Sequence, residues 1–462
     1  MTFCLKKNKL IRNYEELAST KLRKEALDIF TCGLQSVFPE WIIPRLIRLE
    51  SRGLFINDEI YDLSNRNIFI FGGGKASAIM ASSIESVLGP SRIKDGIIID
   101  KTVAAKTKKI RVLLGGHPVP NAEGVAAVKE MISLTKSISP NDLIICLISG
   151  GGSSLLTSPV SEVPLKELCM LYDHLLHTDM PVSEINIIRK HLTQLSGGRL
   201  AKLLYPSTIV SLIISDTLDW TYDATASGPT HPDESTFEMA IKILYKYGLV
   251  GNISNNILKY LNKGMRGEVP ESIKRGDPIF ENVRNIIIAD NCIAIERMRD
   301  LALSSGYETK IVSSKLTGSI SIVAEKLASE IHNHQARNNI CLIAGGEPTV
   351  DIEAGGKGGR CQHLAALLTE KIKNVPESVF LAAGTDGNDY LLGVGGAIVD
   401  YKTSTIAKKM GNEASHYIRD FNTFEYHRKL GNLVLMEPTH TNVCDVFIFL
   451  KGYPGQHKIS IE

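Results

Sequence analysis

Residues 68–75 read IFIFGGGK, four apolar residues that stop at three glycines and a lysine. The run is continuously apolar and not alternating, which is typical of a parallel strand buried on both faces of its sheet. The segment that follows, ASAIMASSIESVLG, is predicted to be a helix ending at Gly89, and NAEGVAAVKEMISL after Pro120 predicts another. A strand, a glycine turn and a helix in this order favour an α/β fold.

The same pattern recurs at four more places along the chain. Apolar runs at 143–148, 211–214, 341–344 and 380–383 each end at glycines, hydroxyls or carboxylates. Ligands of parallel sheets bind beyond the carboxyl ends of the strands. Backbone amides, a lysine, hydroxyls and carboxylates at those ends are suited to hold phosphate. We therefore predict an enzyme that handles phosphoryl groups.

The length of 462 residues favours two domains over a single core. The segment 262–278 is rich in glycine, proline and charge, and we interpret it as the connection between them. This predicts a Rossmann-like α/β domain over 1–264 and a second α/β domain over 265–462, both with largely parallel sheets. The second domain would begin with the strand at 285–290. An opening helix is expected within 14–38, where apolar residues recur at spacings of three and four.

Composition narrows the class of protein. The 52 basic and 50 acidic residues nearly balance, which argues against a nucleic-acid-binding protein. The eight cysteines are scattered singly, with no C-x-x-C pair, so we expect a reducing compartment and neither a zinc nor a redox site. No apolar stretch approaches the ~20 residues that span a bilayer. We expect a cytoplasmic protein with small-molecule ligands and no membrane partner, and leave a homodimer open.

The turn at 72–75 is similar in composition to a phosphate-binding loop, because glycines expose backbone amides and Lys75 adds a full positive charge. It is not a Walker A motif, since Ala76 follows the lysine. Nor is it the dinucleotide fingerprint G-x-G-x-x-G, because Ser77 stands at the place of the third glycine. Gly73 and Gly74 are therefore candidates for phosphate binding. A solvated lysine at a strand end is the alternative.

A second glycine turn follows the run at 143–148. It lacks the closing glycine of G-x-S-x-G, so an anion-binding nest of amides is favoured over a serine nucleophile. The alternative is a tight turn that needs small residues. The candidate residues for phosphate or substrate binding are Ser149, Gly150, Gly151, Gly152 and Ser153.

Further charged candidates lie at 189–191 and just past three of the strands. Adjacent helical residues point in different directions, so only one or two of the cationic residues 189–191 can face a ligand, and Lys190 is the first choice. Asp216 and Asp386 are candidate ligands for magnesium, and Glu347 is a candidate for substrate or metal binding. Each carboxylate could instead be a turn residue or a helix cap.

Nine groups of motifs occur in one order from about Phe69 to Asp445. They are FGGGKAS, GGHPVPNAEG, LISGGGSSLL, NIIRKHL with SGGRLA, ISD with ASGPT, AGGEPTV, GGKGGRCQ, AAGTDG with GGAIVD, and THTNVCD. The chain thereby resembles the type-2 glycerate kinases, whose C-terminal half is the MOFRL domain. The resemblance covers nearly the whole chain.

The resemblance implies an ATP-dependent kinase that converts D-glycerate to 2-phosphoglycerate with Mg²⁺, in a cleft between two α/β domains. Lys75 of GGGKAS and Arg360 of GGKGGR match the essential lysine and arginine of that family. Both are cations suited to stabilise a transferring phosphoryl group. Asn442 of THTNVCD is a further candidate for substrate binding.

The chain departs from the family pattern at three usually acidic positions, which hold Trp220, His363 and Gly393. Carboxylates hold metal and orient the attacking hydroxyl, so these changes motivate an alternative, a non-catalytic protein that binds nucleotide or phosphate. A third hypothesis is a hydroxypyruvate reductase, a label that members of this family have also carried. It would need a nicotinamide site, whose fingerprint the glycine turns lack.

Overall fold

The structure is a computed structural model and describes residues 10–103, 105–218, 222–334, 336, 339–350 and 355–452. The strands of this part of the chain are β1 Ile47–Glu50, β2 Gly53–Ile56, β3 Glu59–Tyr61, β4 Ile68–Gly73, β5 Ile93–Asp100, β6 Arg111–Leu114, β7 Leu143–Ser149, β8 Thr208–Ile214, β9 Val283–Ala289, β10 Glu308–Leu316, β11 Ile340–Gly346, β12 Ser378–Gly384, β13 Val394–Asp400, β14 Leu433–Leu435 and β15 Asp445–Lys451.

The helices alternate with these strands over most of the chain. They are α1 Tyr14–Leu17, α2 Lys21–Ser36, α3 Pro39–Leu46, α4 Ser77–Leu88, α5 Ala122–Thr135, α6 Gly152–Leu155, α7 Leu165–Leu176, α8 Val182–Lys190, α9 Arg199–Leu204, α10 Phe237–Lys246, α11 Asn255–Met265, α12 Asn291–Ser304, α13 Ile320–His334, α14 Arg360–Ile372, α15 Thr403–Lys409, α16 Ala414–Arg419 and α17 Thr423–Leu430. No helix in the described ranges is long and apolar enough to span a membrane.

One compact unit comprises Pro39–Ile288 and is built on a six-stranded sheet. The strand order is β6-β5-β4-β7-β8-β9, and every pair from β6 to β8 is parallel. Numbered along the chain this is 3-2-1-4-5-6, the doubly wound order of Rossmann folds, so the predicted fold of this unit is confirmed. Every residue of β4 and β7 is buried. The order of strands reverses between β4 and β7, where such sheets bind ligands.

The helices next to β4 and β6 follow the sequence prediction. Helix α4 ends before Gly89, whose φ of 77° suits a glycine at a helix end. Helix α5 begins after Asn121, whose side chain accepts a hydrogen bond from the amide of Gly124 at 2.8 Å. Both helices are confirmed.

The other compact unit comprises Met1–Phe38 and Ala289–Glu462, and its sheet has the order β10-β11-β15-β12-β13-β14. Only β10 and β11 are parallel, because β15 inserts between β11 and β12 in the opposite direction and the pairs beyond are antiparallel. The expectation of a largely parallel second sheet is therefore corrected. A short run buried on both faces looks the same in sequence whichever way its neighbours run.

The opening segment belongs to this second unit and not to the domain predicted over 1–264. The expected helix is two helices, α1 and α2, and the apolar stripe of α2, with Leu27, Phe30 and Leu34 fully buried, packs on α12, β12 and β15. Arg23 of α2 also pairs with Asp400 at 2.6 Å. The apolar stripe predicts a buried face but does not tell which sheet covers it.

The division between the units also falls later than predicted. Strand β9 is hydrogen-bonded into the sheet of the first unit, so it ends that unit instead of beginning the second. The segment 262–278 is held inside the first unit, since Ile273 accepts a hydrogen bond from the amide of Asp233 at 2.8 Å and donates one to the carbonyl of Gly197 at 3.0 Å. Glycine, proline and charge here mark a surface loop and not a domain boundary.

Candidate active site

Two glycine turns lie side by side at the reversal point of the first sheet. The amide of Lys75 donates to the carbonyl of Gly150 at 2.9 Å, and the amide of Ala76 donates to Ser149 Oγ at 3.0 Å. Gly74 has a φ of 141°, and a methyl group there would lie 2.2 Å from Ser149 Oγ. Only glycine allows the two turns to approach this closely.

The predicted small residues divide into two groups. Gly74, Gly150 and Gly151 form the turns, whereas Gly73 and Gly152 are small because neighbours pack against them. A methyl on Gly73 would lie 2.7 Å from a Leu156 methyl, and one on Gly152 would lie 2.5 Å from the Ala226 side chain. The predicted residue Ser153 follows these glycines, and its hydroxyl forms a hydrogen bond with that of Ser227 at 2.8 Å.

Basic groups gather beside Gly151, which has a φ of 84°. A methyl there would lie 2.8 Å from His117 Cδ2 and 3.1 Å from Lys75 Cγ. Burial and the positive charges of Lys75, Lys101 and Arg189 lower the pKa of His117 to about 4, so this imidazole is neutral at neutral pH. This histidine, part of GGHPVPNAEG, was not predicted from the sequence as a site residue. Its position directly after two glycines that follow β6 was the available signal.

The two adjacent cations at the end of α8 have different surroundings. Lys190 is 3% exposed, and its Nζ lies 3.1 Å from Asp223 Oδ2 and 3.2 Å from Asp233 Oδ1. The ammonium group of Lys190, the cation that the sequence favoured for ligand binding, is thus paired with two carboxylates of the protein. The guanidinium of Arg189 lies instead over the ring of Tyr172, with Cζ 4.6 Å from the ring centre. Among the described residues, Arg189 therefore forms no ion pair with a carboxylate, whereas Lys190 forms two.

Asp216 follows β8 and lies directly against the second glycine turn. The residue is half-buried, and a methyl on Gly150 would lie only 1.7 Å from Asp216 Oδ2. The carboxylate therefore stands next to the turn for which the sequence predicted an anion-binding role.

The second unit gathers polar groups where β11 and β12 end. Strand β15 pairs with both, and its first residue, Asp445, is opposite Gly346 of β11 and Gly384 of β12. Glu347 follows β11 and Asp386 lies two residues past β12. A methyl on Gly384 would lie 3.4 Å from an Asp445 oxygen and 3.5 Å from an Asp386 oxygen, so these carboxylates are near neighbours.

Arg360, the first residue of α14, joins this group. Its Nε lies 2.5 Å from Asp445 Oδ2, its Nη2 lies 3.4 Å from Asp445 Oδ1, and its Nη1 lies 2.9 Å from Glu347 Oε1. Burial lowers the pKa of Arg360, but Asp445 and Glu347 raise it by more, so the guanidinium keeps its charge. Burial raises the pKa of Asp445 to about 7 against the opposing effect of Arg360. Arg360 and Glu347 were predicted from the sequence, whereas Asp445, the last residue of THTNVCD, was not.

Other residues near α14 have structural contacts. Asp389 is buried, accepts hydrogen bonds from the amides of Cys361 and Gln362 at 3.0 and 2.8 Å, and thereby caps the start of α14. Asn442 accepts a hydrogen bond from the amide of Cys444 at 3.1 Å and shapes the turn before β15. The predicted substrate-binding role of Asn442 stays a prediction.

His363 and Gly393, which stand where the family usually has acidic residues, each have specific contacts in this fold. His363 is buried and stacked on Phe421 at 5.4 Å between ring centres, and burial lowers its pKa to about 4. Gly393 has a φ of 76°, and its carbonyl accepts a hydrogen bond from Arg12 at 3.0 Å. A side chain at Gly393 would be strained. Trp220, with its neighbour Asp219, lies outside the described residues.

The carboxylates at the strand ends fit only a limited part in holding Mg²⁺. Within the part of the chain that the structure describes, no three His, Cys, Asp or Glu side chains come together as a metal site. Magnesium in kinases is commonly held by only one or two carboxylates, with phosphate oxygens and water completing the shell. Asp216 and Asp386, both half-buried at strand ends, fit that limited role.

Two family descriptions match the chain, "Domain of unknown function (DUF4147)" over residues 25–262 and "MOFRL family" over residues 340–445. A glycerate 2-kinase from Pyrococcus horikoshii is 32% identical over 437 residues, which cover 92% of this chain and 97% of the relative. The chain belongs to the glycerate 2-kinase family. Its C-terminal part is the MOFRL domain of that family, as predicted.

A solved structure and another relative complete the comparison. The crystal structure of a glycerate kinase from Thermotoga maritima has a TM-score of 0.81 to this chain at 29% identity, covering 93% of this chain and 99% of its own. A relative from Agrobacterium vitis, 30% identical, bears the name of a hydroxypyruvate reductase, and the match covers 83% of this chain and 87% of that protein. The α/β fold class is confirmed, and the chain is a kinase.

Proposed function

We propose that the chain transfers the γ-phosphoryl group of ATP to the 2-hydroxyl of D-glycerate and forms 2-phosphoglycerate. The observation that carries the proposal is Lys75, which stands on a glycine turn at the ligand-binding edge of a Rossmann sheet. Among the described residues no carboxylate pairs with its ammonium group, so the charge is available to a phosphate. The name of the Pyrococcus relative supports glycerate as the acceptor.

The reaction needs alignment and charge stabilisation more than covalent chemistry. The 2-hydroxyl oxygen attacks the γ-phosphorus, the bond from that phosphorus to the β–γ bridging oxygen breaks, ADP leaves, and the hydroxyl proton is released. Lys75 stabilises the negative charge on the phosphoryl oxygens. Arg360 belongs to the other unit, and its part in the transfer stays the prediction that the family resemblance implies. When bound, Mg²⁺ would neutralise phosphate charge. Asp216 of one unit and Asp386 of the other are separate candidates to hold it.

A coupled assay with ATP, Mg²⁺ and a panel of small hydroxy acids tests the proposal. We expect ADP formation that depends on D-glycerate, with phosphorus NMR locating the new ester on the 2-hydroxyl. Lys75→Ala should lower kcat by roughly 100-fold or more, and Lys75→Arg should recover part of the loss. Nucleotide binding without turnover of any hydroxy acid would reject the proposal and support the non-catalytic alternative.

A hydroxypyruvate reductase is a second candidate, because the sheet has the strand order of dinucleotide-binding folds and one relative bears that name. The glycine turn at 72–75 is poorly suited to bind a nicotinamide dinucleotide. Ser77 is fully buried at the place of the third glycine, and its hydroxyl donates to the carbonyl of Leu147 at 3.0 Å. Hydroxypyruvate-dependent consumption of NADH or NADPH by the purified protein would support the reductase.

A further inference from the structure

We propose that Arg189 binds the carboxylate of the acceptor substrate, in a subsite beside Lys75 and His117. This inference rests on the proposed function and deepens it. The sequence alone gave no reason to prefer Arg189 over its two cationic neighbours.

Arg189 is a partly buried positive charge with no counter-ion among the described residues. The Nε atom of Arg189 is buried and has no hydrogen-bond partner among the described residues, and no carboxylate there forms an ion pair with the guanidinium. Burial lowers the pKa of Arg189, which shows the cost of holding this charge away from water. An arginine nevertheless stays protonated, so it needs an anion from elsewhere.

An aromatic ring and other positive charges surround the guanidinium of Arg189. The ring of Tyr172 supports one face of it and fixes its plane. His117 and Lys75 both lie beside Gly151, and Lys75, Lys101 and Arg189 are the positive charges that lower the pKa of His117. Several positive charges that are partly shielded from water attract an anion strongly.

The reaction has two anionic groups to bind, the phosphoryl group of the nucleotide and the carboxylate of the acceptor. Lys75 stands on the glycine turn and suits a phosphoryl group as a point charge. Arg189 is on α8, the residue is partly exposed, and a planar guanidinium binds a planar carboxylate through two parallel hydrogen bonds. The neutral imidazole of His117 can add a hydrogen bond without adding charge. We therefore assign the carboxylate, and not a nucleotide phosphate, to Arg189.

The test compares D-glycerate with its neutral amide, glyceramide, as acceptors for wild-type, Arg189→Gln and Arg189→Lys proteins. We expect Arg189→Gln to raise the KM for glycerate by roughly 100-fold and to leave the KM for ATP within about twofold. The preference of kcat/KM for glycerate over glyceramide should nearly vanish. Arg189→Lys should keep part of the preference, because it keeps the charge but loses the two-pronged geometry.

Arg199→Gln is the matched control for local damage. Arg199 is a neighbouring, partly buried arginine whose Nη1 donates to the backbone carbonyls of Lys190 and Ser196, at 2.5 and 3.2 Å. We expect it to lower thermal stability without changing the preference for glycerate. Thermal melting of every variant, with Arg189→Lys as the better-tolerated change, separates misfolding from lost recognition.

The outcomes distinguish this inference from the proposed function. If wild-type protein phosphorylates glycerate and Arg189→Gln keeps the wild-type KM and preference, the carboxylate subsite is wrong while the kinase function stands. If the KM for ATP rises and that for glycerate does not, Arg189 binds phosphate, and the inference is also overturned. If wild-type protein neither phosphorylates glycerate nor binds it in calorimetry, both proposals fail.

Discussion

Arg360 holds Asp445 through two nitrogens, with Nε 2.5 Å from Oδ2 and Nη2 3.4 Å from Oδ1, although the two residues are 85 positions apart in the chain. Asp445 is 3% exposed, so its charge depends on this arginine. The pair makes Arg360 both a structural partner and a candidate for phosphoryl binding. A double variant can separate the two tasks.

We predict that Arg360→Met lowers both stability and activity. The free energy of unfolding should fall by about 3 kcal/mol, because Asp445 is left buried without its partner. The kcat should fall by roughly 100-fold or more. Arg360→Met combined with Asp445→Asn should recover most of the stability but not the activity, as measured by thermal melting and the coupled assay. Recovery of activity in the double variant would mean that Arg360 acts only by neutralising Asp445.

Lys190→Met should act on stability and not on ligand binding. The substitution leaves Asp233 buried without its ion-pair partner, and we expect a loss of about 3 to 5 kcal/mol. Adding Asp233→Asn should recover part of that loss. The KM values for ATP and glycerate should stay near wild type in the folded fraction. A large rise in either KM with little change in melting temperature would instead support the ligand-binding role predicted from sequence.

Gly150→Ala should disturb Asp216. The new methyl would lie 1.7 Å from Asp216 Oδ2 and 2.8 Å from Oδ1, so the carboxylate must move away from the turn. If Asp216 helps to hold Mg²⁺, the Mg²⁺ concentration for half-maximal activity should rise roughly 10-fold or more. Gly251→Ala is a matched control, because nothing lies within 4 Å of its added methyl. An unchanged Mg²⁺ dependence in Gly150→Ala would argue against Asp216 as a ligand.

The buried His427 predicts a loss of stability in acid. Its Nε2–H donates to the carbonyl of Gln362 at 2.8 Å, and its buried Nδ1 has no partner among the described residues. Burial lowers the pKa of His427 to about 4, below the unfolded value of about 6.5. The unfolded chain therefore binds the proton more tightly, and the stabilising contribution is present above pH 6.5 and lost as the pH falls to 4.

We expect this histidine to remove about 3 kcal/mol of unfolding free energy across that interval. His117 and His363 have pKa values lowered to about 4 in the same way and add to the effect. Denaturant unfolding at several pH values should show the decline, and His427→Gln should show a smaller decline. An equal pH dependence in wild type and His427→Gln would contradict the prediction.

The local elements near the first glycine turn could be predicted from the sequence. Strand β4, the turn at Lys75 and helix α4 are neighbours along the chain, so apolar runs and glycines specify them without reference to the rest of the fold. The same holds for the family motifs that contain Lys75 and Arg360. The sequence by itself therefore determined the Rossmann-like fold and the family, and it predicts Lys75 and Arg360 as the cations of the site.

Tertiary structure decided which side chains meet. Whether Lys190 or Arg189 is left without an ion-pair partner among the described residues depends on Asp223 and Asp233, which reach α8 only in the folded unit. Asp445 joins Arg360 only because β15 inserts between β11 and β12. Apolar periodicity indicates that a face is buried, whereas pairing direction, the covering sheet and the choice of ion-pair partner follow from contacts between distant residues. For that reason α2 and β9 could be predicted as elements, but their place in the two units could not.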